Sequence, residues 1–97
     1  MARLIDLDWP HFGPEPLRPP VTVADLQPRV ESLRAAMRSR GLTHLALYAD
    51  REHFANLAWL TNFDPRFEEA LLLLSHDNTP LLLTGNECMS YLPISPL

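Results

Sequence analysis

Apolar residues recur at helical spacing in the first half of the chain, at Leu26, Val30, Leu33 and Met37. Intervals of three and four residues place these side chains on one face, which predicts a helix from Leu26 to Arg40. Asp25 is the expected N-cap, because Pro28 then lies in the first turn, where its missing donor costs nothing. Choosing Thr22 as the cap would instead push Pro28 into the hydrogen-bond ladder. Gly41 is expected to end the helix.

Two continuous apolar runs predict strands from Leu42 to Tyr48 and from Ala70 to Leu74. Strands without polar alternation are typical of sheets covered on both faces, so we expect both strands to be buried and the second to be central. A turn at residues 76–79 precedes a third strand, from Leu81 to Leu83, which we expect to form a hairpin with the second.

A second helix is predicted from Arg51 to Leu60, with Asp50 as its cap. A polar corner, residues 61–68, separates this helix from the second strand. Asn62 tolerates a left-handed backbone and is expected to end the helix. The dipeptide Asp64–Pro65 is a turn signal that keeps the corner out of helical structure.

Residues 22–97 are therefore predicted to form a small α/β domain, in which helices pack on a mixed sheet. Near the C-terminus, Asn86 is expected to cap a short helical turn from Glu87 to Tyr91. The sheet looks unfinished, because at least one strand of the buried type is left without cover. We expect either that the sheet pairs with another chain or that the natural protein continues beyond Leu97.

Residues 1–21 are predicted to form an extended, proline-rich arm. Five prolines fix the backbone and remove donors there, at Pro10, Pro14, Pro16, Pro19 and Pro20. Trp9 and Phe12 are large apolar groups in this arm. We expect them to pin the arm to its own domain, in preference to a partner.

The composition excludes several classes of protein. The chain has 97 residues, 46% of them hydrophobic, which is enough for one modest domain with a core. The net charge of -4 argues against a nucleic-acid interface and a polybasic membrane patch, since both need clustered Lys and Arg. No run approaches the roughly 18 apolar residues of a membrane span, and the N-terminus does not resemble a secretory signal. The expected location is the cytoplasm.

The residues alone offer little catalytic chemistry. Cys88 is the single cysteine, which excludes a disulfide within the chain. Pairing it with His76 would need a base beside the thiol, and the sequence gives no sign of one. Glu68 and Glu69 are adjacent in an extended segment, so they point to opposite faces and cannot act across one bond. A small complete enzyme is therefore disfavoured, and Cys88 is expected to be a packing residue.

The stretch Asn56–Phe63 reads NLAWLTNF. It resembles the N-x-x-W-L-T-G-F pattern that ends a helix in the N-terminal domain of the creatinase/prolidase family, the Xaa-Pro peptidases and their relatives. The order of elements from Leu26 to Leu83 also resembles that domain. Asn62 departs from the family pattern by replacing a glycine, and Asn is the next most tolerant residue for a left-handed backbone.

The resemblance implies that this chain is non-catalytic. In such enzymes the chemistry lies in a separate C-terminal domain, where two aspartates, a histidine and two glutamates hold a pair of divalent metals that activate water. None of those ligands maps onto this chain, so the resemblance implies no catalytic residue, metal ligand or cofactor here, and a missing C-terminal catalytic domain as partner. It also implies a homo-oligomer, expected to be a dimer, that binds neither nucleic acid nor membrane.

The resemblance also points to a loop that, in relatives, reaches the active site of a neighbouring subunit. By position that loop runs from Asp64 to Glu68. It implies a substrate-proximal role for Asp64 and for Arg66, which would recognise a substrate carboxylate, with Phe63 or Phe67 as an apolar wall. The favoured alternative is that Arg66 simply pairs with Asp64 or Glu68 on the surface.

Two functions from different classes follow. The favoured one is the non-catalytic N-terminal domain of a metal-dependent Xaa-Pro peptidase or creatinase-like hydrolase, which serves oligomerisation and shapes a neighbouring active site. The alternative is a free-standing α/β interaction module that dimerises through the edge of its hairpin.

Overall fold

The structure of the chain is a computed structural model that describes residues 1–8, 10, 11, 13 and 20–97. The proposed anchors of the arm, Trp9 and Phe12, lie outside the described residues. The described arm residues before Thr22 are exposed and belong to no helix or strand.

The first helix, α1, spans Val23–Ser39 and begins earlier than predicted. Thr22 is its N-cap, and both the Thr22 backbone N–H and its hydroxyl donate to the Asp25 carboxylate, at 2.8 and 2.7 Å. The prediction of Asp25 as the cap is therefore wrong, and Pro28 does lie inside the helix. Pro28 removes only the bond to the carbonyl of Ala24, an exposed residue whose carbonyl water can solvate. The helix therefore keeps the capping bonds between Thr22 and Asp25 and accommodates the proline at an exposed position.

The end of α1 is as predicted. Gly41 has a φ of +68°, the left-handed conformation that glycine adopts without a steric cost. The Gly41 N–H donates to the Arg38 carbonyl and the Leu42 N–H to the Met37 carbonyl, at 3.1 and 2.9 Å. These two bonds form a Schellman motif, which satisfies carbonyls that the helix itself leaves free.

Three strands form one sheet in the order β1-β2-β3. The strands are β1 His44–Ala49, β2 Ala70–Ser75 and β3 Leu81–Thr84, and both pairs are antiparallel. The sheet among the described residues is therefore antiparallel and not mixed, while the central place of β2 and its hairpin with β3 are confirmed. The reason lies in the β1–β2 connection, which returns the chain to the end of the sheet where β1 stops and pairs Ala49 with Ala70.

The second helix, α2, spans Ala55–Thr61 and is shorter than predicted. Asp50 does accept backbone bonds, but from Glu52 and His53 at 2.9 and 2.7 Å, so it closes a turn ahead of the helix. Because this turn uses residues 51–53, α2 starts only at Ala55.

Both helices contribute to a core on one face of the sheet. Its buried members are Val30, Met37, Ala49, Leu57, Leu60, Phe63, Ala70, Leu72, Leu74 and Cys88.

Two arginines that the sequence analysis did not single out connect α1 to the rest of the domain. Arg34 donates to the carbonyls of Ser75 and Asn78 in the β2–β3 turn, at 3.0 and 2.5 Å. Arg29 donates to the Trp59 carbonyl at 2.7 Å and lies over its ring.

The other face of the sheet carries apolar side chains that no described helix covers. We call this the open face, formed by Ala46, Tyr48, Leu71, Leu73, Leu81 and Leu83. All of these except the half-buried Leu71 are exposed. Among the described residues, β1 and β2 are therefore not covered on both faces as predicted, which agrees with the expectation that a strand of the buried type lacks cover.

The last element is a 3-10 helix, Asn86–Ile94, longer than the predicted turn. Its N-cap is Gly85 and not Asn86. The side chain that satisfies its first N–H groups comes from Glu68, in the corner before β2.

Candidate functional site

The corner between α2 and β2 starts at a left-handed residue, as predicted. Asn62 has a φ of +60° and its N–H donates to the Ala58 carbonyl at 2.8 Å, which ends the helix. Its side-chain amide donates to the Ile94 carbonyl at 3.1 Å. Asn62 therefore also ties the corner to the C-terminal 3-10 helix, a contact that a glycine could not make.

Phe63 points into the core. Its side chain is 0% exposed, and its backbone N–H donates to the Thr61 hydroxyl at 3.1 Å. That hydroxyl in turn donates to the Leu57 carbonyl at 2.8 Å, so the buried Thr61 is satisfied on both sides. The suggested role of Phe63 as the wall of a surface site does not fit this burial, and of the two phenylalanines only Phe67 is on the surface.

Arg66 is exposed and held by Asp64. The Asp64 carboxylate accepts the Arg66 backbone N–H at 3.0 Å, and its other oxygen lies 3.9 Å from Arg66 Nε. The local Arg66–Asp64 pair expected as the alternative is thus present. The φ of Arg66 is +43°, a left-handed conformation that is uncommon for a residue with a side chain. Nothing in the sequence pattern signalled this backbone conformation.

Glu68 fixes the other side of the corner. Its carboxylate accepts the N–H groups of Glu87 and Cys88, both at 3.1 Å, at the start of the 3-10 helix. Gly85 leaves the room for this contact, because a Cβ at that position would overlap the Glu68 carboxylate. Glu68 is therefore a capping residue for a distant element, and its carboxylate contacts that element, whereas Arg66 pairs with Asp64.

Pro65 and Cys88 close the same junction from inside. Pro65 is fully buried, and the Cys88 thiol donates to its carbonyl at 2.7 Å. Cys88 is 0% exposed and is thus a buried packing residue, as expected. His76 makes its ring contact with the Leu42 carbonyl at 2.6 Å, so the structure does not bring the thiol and this imidazole together.

The outer surface of the corner is a shallow concavity of about 340 Å³, lined by Arg51, Asp64, Arg66 and Phe67. Phe67 is 64% exposed, and its ring lies 6.4 Å from that of Tyr91 on the 3-10 helix. The structure thus brings together three of the four predicted site residues and adds Arg51, which sequence reasoning missed. Two guanidinium groups beside one aromatic ring suit a planar anion such as a carboxylate.

The described residues assemble no group of three His, Cys, Asp or Glu side chains suited to a metal ion. The nearest arrangement is Asp50 with His53, whose ring nitrogen lies 3.0 Å from the carboxylate. Backbone bonds from His53 and Glu52, with the His53 ring, hold the pKa of Asp50 below its usual range despite some desolvation. This carboxylate is thus engaged in its own turn.

Comparisons with protein-family models, with curated proteins and with solved structures gave no match. Within the described part of the chain, no helix is both long and apolar enough to cross a membrane.

Proposed function

We propose that this chain is the non-catalytic N-terminal domain of a metal-dependent hydrolase of the creatinase/prolidase type. In this role it serves oligomerisation and shapes the active site of a neighbouring subunit. The divalent metal pair and its ligands belong to the missing C-terminal domain of the parent protein. The proposal extends the resemblance of Asn56–Phe63, and of the elements around it, to that family.

The observation that carries the proposal is the way the corner is built. Its backbone is anchored at Asn62, Pro65 and Glu68, three contacts that all reach the 3-10 helix. Between these anchors, Arg66 and Phe67 are directed outward and exposed. Rigid backbone under exposed cationic and aromatic side chains is what a substrate-contacting loop requires.

The Arg66–Asp64 pair is compatible with this role. At 3.9 Å between Nε and the carboxylate it is a weak, exposed ion pair, which contributes little to stability. A ligand carboxylate can compete for the terminal guanidinium nitrogens with little loss. Asp64 would then hold the arginine in position through its bond to the Arg66 backbone.

The test begins with the reading frame beyond the Leu97 codon. A continuing frame that encodes appropriately placed Asp, Asp, His, Glu and Glu supports the proposal, and a stop codon contradicts it. In the resulting enzyme, Arg66→Ala is expected to raise KM for Xaa-Pro dipeptides at least tenfold, or to lower kcat. Arg38→Ala, at an exposed arginine of α1, is the matched control and should leave both constants unchanged.

The 97-residue chain by itself is expected to show no Xaa-Pro hydrolysis with added Mn²⁺. Activity in this chain would refute the assignment of the chemistry to another domain. Unchanged kinetics of the Arg66→Ala enzyme would instead leave Arg66 with only its local partner, Asp64.

The second candidate is a free-standing interaction module. The open face favours it, because a contiguous apolar patch on a small domain commonly marks an interaction site. This function requires self-association of the chain but no catalytic parent.

A further inference from the structure

We propose that the open face is the self-association surface of this chain, and that it packs against the open face of a second copy. The proposal deepens the oligomerisation part of the proposed function and rests on it. It differs from pairing at the hairpin edge, because the contact is made by side chains on the face of the sheet and not by the backbone of β3.

The open face is large for a chain of this size. Its exposed apolar area is on the order of 400 Å², the size of the largest patch on a typical monomer, and such patches are often functional. The residues lie in two rows across the strands: Ala46, Leu73 and Leu81 in one row, Tyr48, Leu71 and Leu83 in the next. No charged side chain interrupts either row, so the patch is apolar throughout.

In the part of the chain that the structure describes, the polar groups around the open face lie at its two ends. Glu69 and Asp50 lie beyond the row of Tyr48, and the Tyr48 hydroxyl donates to the Glu69 carboxylate at 3.1 Å. His44, paired with Ser75, lies beyond the other row. One end of the face is thus acidic and the other carries an imidazole.

This distribution is self-complementary. When two copies face each other about a two-fold axis that crosses the strands, the acidic end of each lies over the His44 end of the other. The apolar rows then meet in the middle, at the spacing of about 10 Å that packed sheets adopt. A parallel arrangement would place Glu69 against Glu69 and is disfavoured by like-charge repulsion.

The edge of the hairpin is a poorer surface. β3 has only four residues, so an added strand would gain few backbone bonds and would leave the apolar rows exposed. Face-to-face packing buries about 800 Å² in total, twice the area of the open face, which is below the roughly 1,200 Å² of a stable specific interface and typical of weak association. We therefore expect a weak dimer, with a Kd in the micromolar range.

The test is sedimentation equilibrium of the full 97-residue chain over a concentration series. The double variant Leu81→Lys/Leu83→Lys changes two face residues, which are 53% and 45% exposed, and circular dichroism checks that it folds. Met89→Lys/Ile94→Lys is the matched control, because these residues of the 3-10 helix are 55% and 59% exposed. We expect at least tenfold weaker dimerisation for the face variant and a change below twofold for the control.

Charge substitutions at the two ends of the open face test the arrangement of the two copies. His44→Glu is expected to weaken the dimer several-fold, because it opposes Glu69 of the second copy. Adding Glu69→Lys in the same chain should restore the original Kd. Failure of this rescue would overturn the antiparallel arrangement.

Three results would overturn the proposal. The first is a wild-type chain that stays monomeric at 200 µM, a concentration well above the expected micromolar Kd. The second is a dimer that is equally sensitive to the control substitutions. The third is a dimer that is lost on Leu4→Ser/Leu7→Ser, which would identify the exposed arm as the occupant. None of these results bears on the kinetics of Arg66→Ala. Failure of the surface and failure of the hydrolase assignment are therefore distinguishable.

Discussion

The contact between Glu68 and the 3-10 helix makes a quantitative prediction about stability. The Glu68 carboxylate accepts two backbone N–H groups, both at 3.1 Å, and is only partly exposed. Removing a helix-capping side chain costs about 0.5–2 kcal/mol, and hydrogen bonds to charged groups lie at the upper end of this range. We expect Glu68→Ala to lower the free energy of unfolding by about 2 kcal/mol, and Glu68→Gln, which retains one acceptor, by about 1 kcal/mol.

The assay is urea unfolding followed by circular dichroism, supported by thermal melts. For a domain of this size, about 2 kcal/mol corresponds to a fall in Tm of roughly 8–16 °C. Glu69→Ala is the control, because the neighbouring carboxylate is exposed and its hydrogen bond within the described residues is the one from the Tyr48 hydroxyl. We expect its effect to stay below about 0.5 kcal/mol.

Gly85 supplies a second test of the same contact. Its φ of -75° suits any residue, so Gly85→Ala meets no backbone strain, but the added Cβ would overlap the Glu68 carboxylate. In the wild-type chain we expect Gly85→Ala to destabilise by about 1–2 kcal/mol through loss of the cap. In the Glu68→Ala chain the overlap is gone, and the same change should be neutral or stabilising by about 0.4–1 kcal/mol.

The double-mutant cycle therefore measures the coupling between Glu68 and Gly85 directly. A coupling of about 1–3 kcal/mol between the two positions is expected, since they are in direct contact. Additive effects of Glu68→Ala and Gly85→Ala would refute the reasoning, as would equal losses for Glu68→Ala and Glu69→Ala.

Two further predictions concern the core and the start of α1. Phe63→Ala should lower the free energy of unfolding by about 3–5 kcal/mol in urea unfolding, because the ring is fully buried. Phe67→Ala, at an exposed ring, should cost less than about 1 kcal/mol. A loss for Phe63→Ala as small as that for Phe67→Ala would place Phe63 outside the core. Hydrogen bonds from the Thr22 hydroxyl and backbone lower the pKa of Asp25 in the folded chain. The stabilising effect of the Asp25 carboxylate is therefore fully present above its unfolded pKa of about 3.9, and it is lost as the pH falls through the lower pKa of the folded state. The stability difference between wild type and Asp25→Asn should therefore shrink in acid, and a constant difference from pH 6 to pH 2 would contradict this account.

Local signals in the sequence predicted the elements that depend on neighbouring residues. Gly41 and Asn62 end their helices in left-handed conformations because few other residues adopt them, and that preference is visible in the sequence. The apolar runs located β2 and β3 closely, because a run of neighbouring apolar residues is also a local signal. The boundaries that were wrong depend on competition between two local options: the Thr22 cap prevailed over the cost of Pro28, and Asp50 closed a turn instead of capping α2.

The features that the sequence did not predict arise from contacts between distant residues. Glu68 and Cys88 meet across 20 positions, and Arg34 and Asn78 across 44, and no periodicity marks either pair. For the same reason the sequence could indicate an exposed corner without showing that Phe63 belongs to the core and Arg51 to its outer surface.

The open face shows how an uninterrupted apolar strand relates to its environment. β2 has no polar alternation, although one of its faces lacks cover among the described residues. Its sequence is therefore that of a strand suited to cover on both faces. Leu73, Leu81 and Leu83 are 36%, 53% and 45% exposed, so each forgoes about half or less of the roughly 1.5–3 kcal/mol that full burial of a leucine side chain provides. That free energy favours an occupant for the open face. For the 97-residue chain, the sensitivity of the dimer to the face and arm substitutions decides between a second copy and the arm as the occupant.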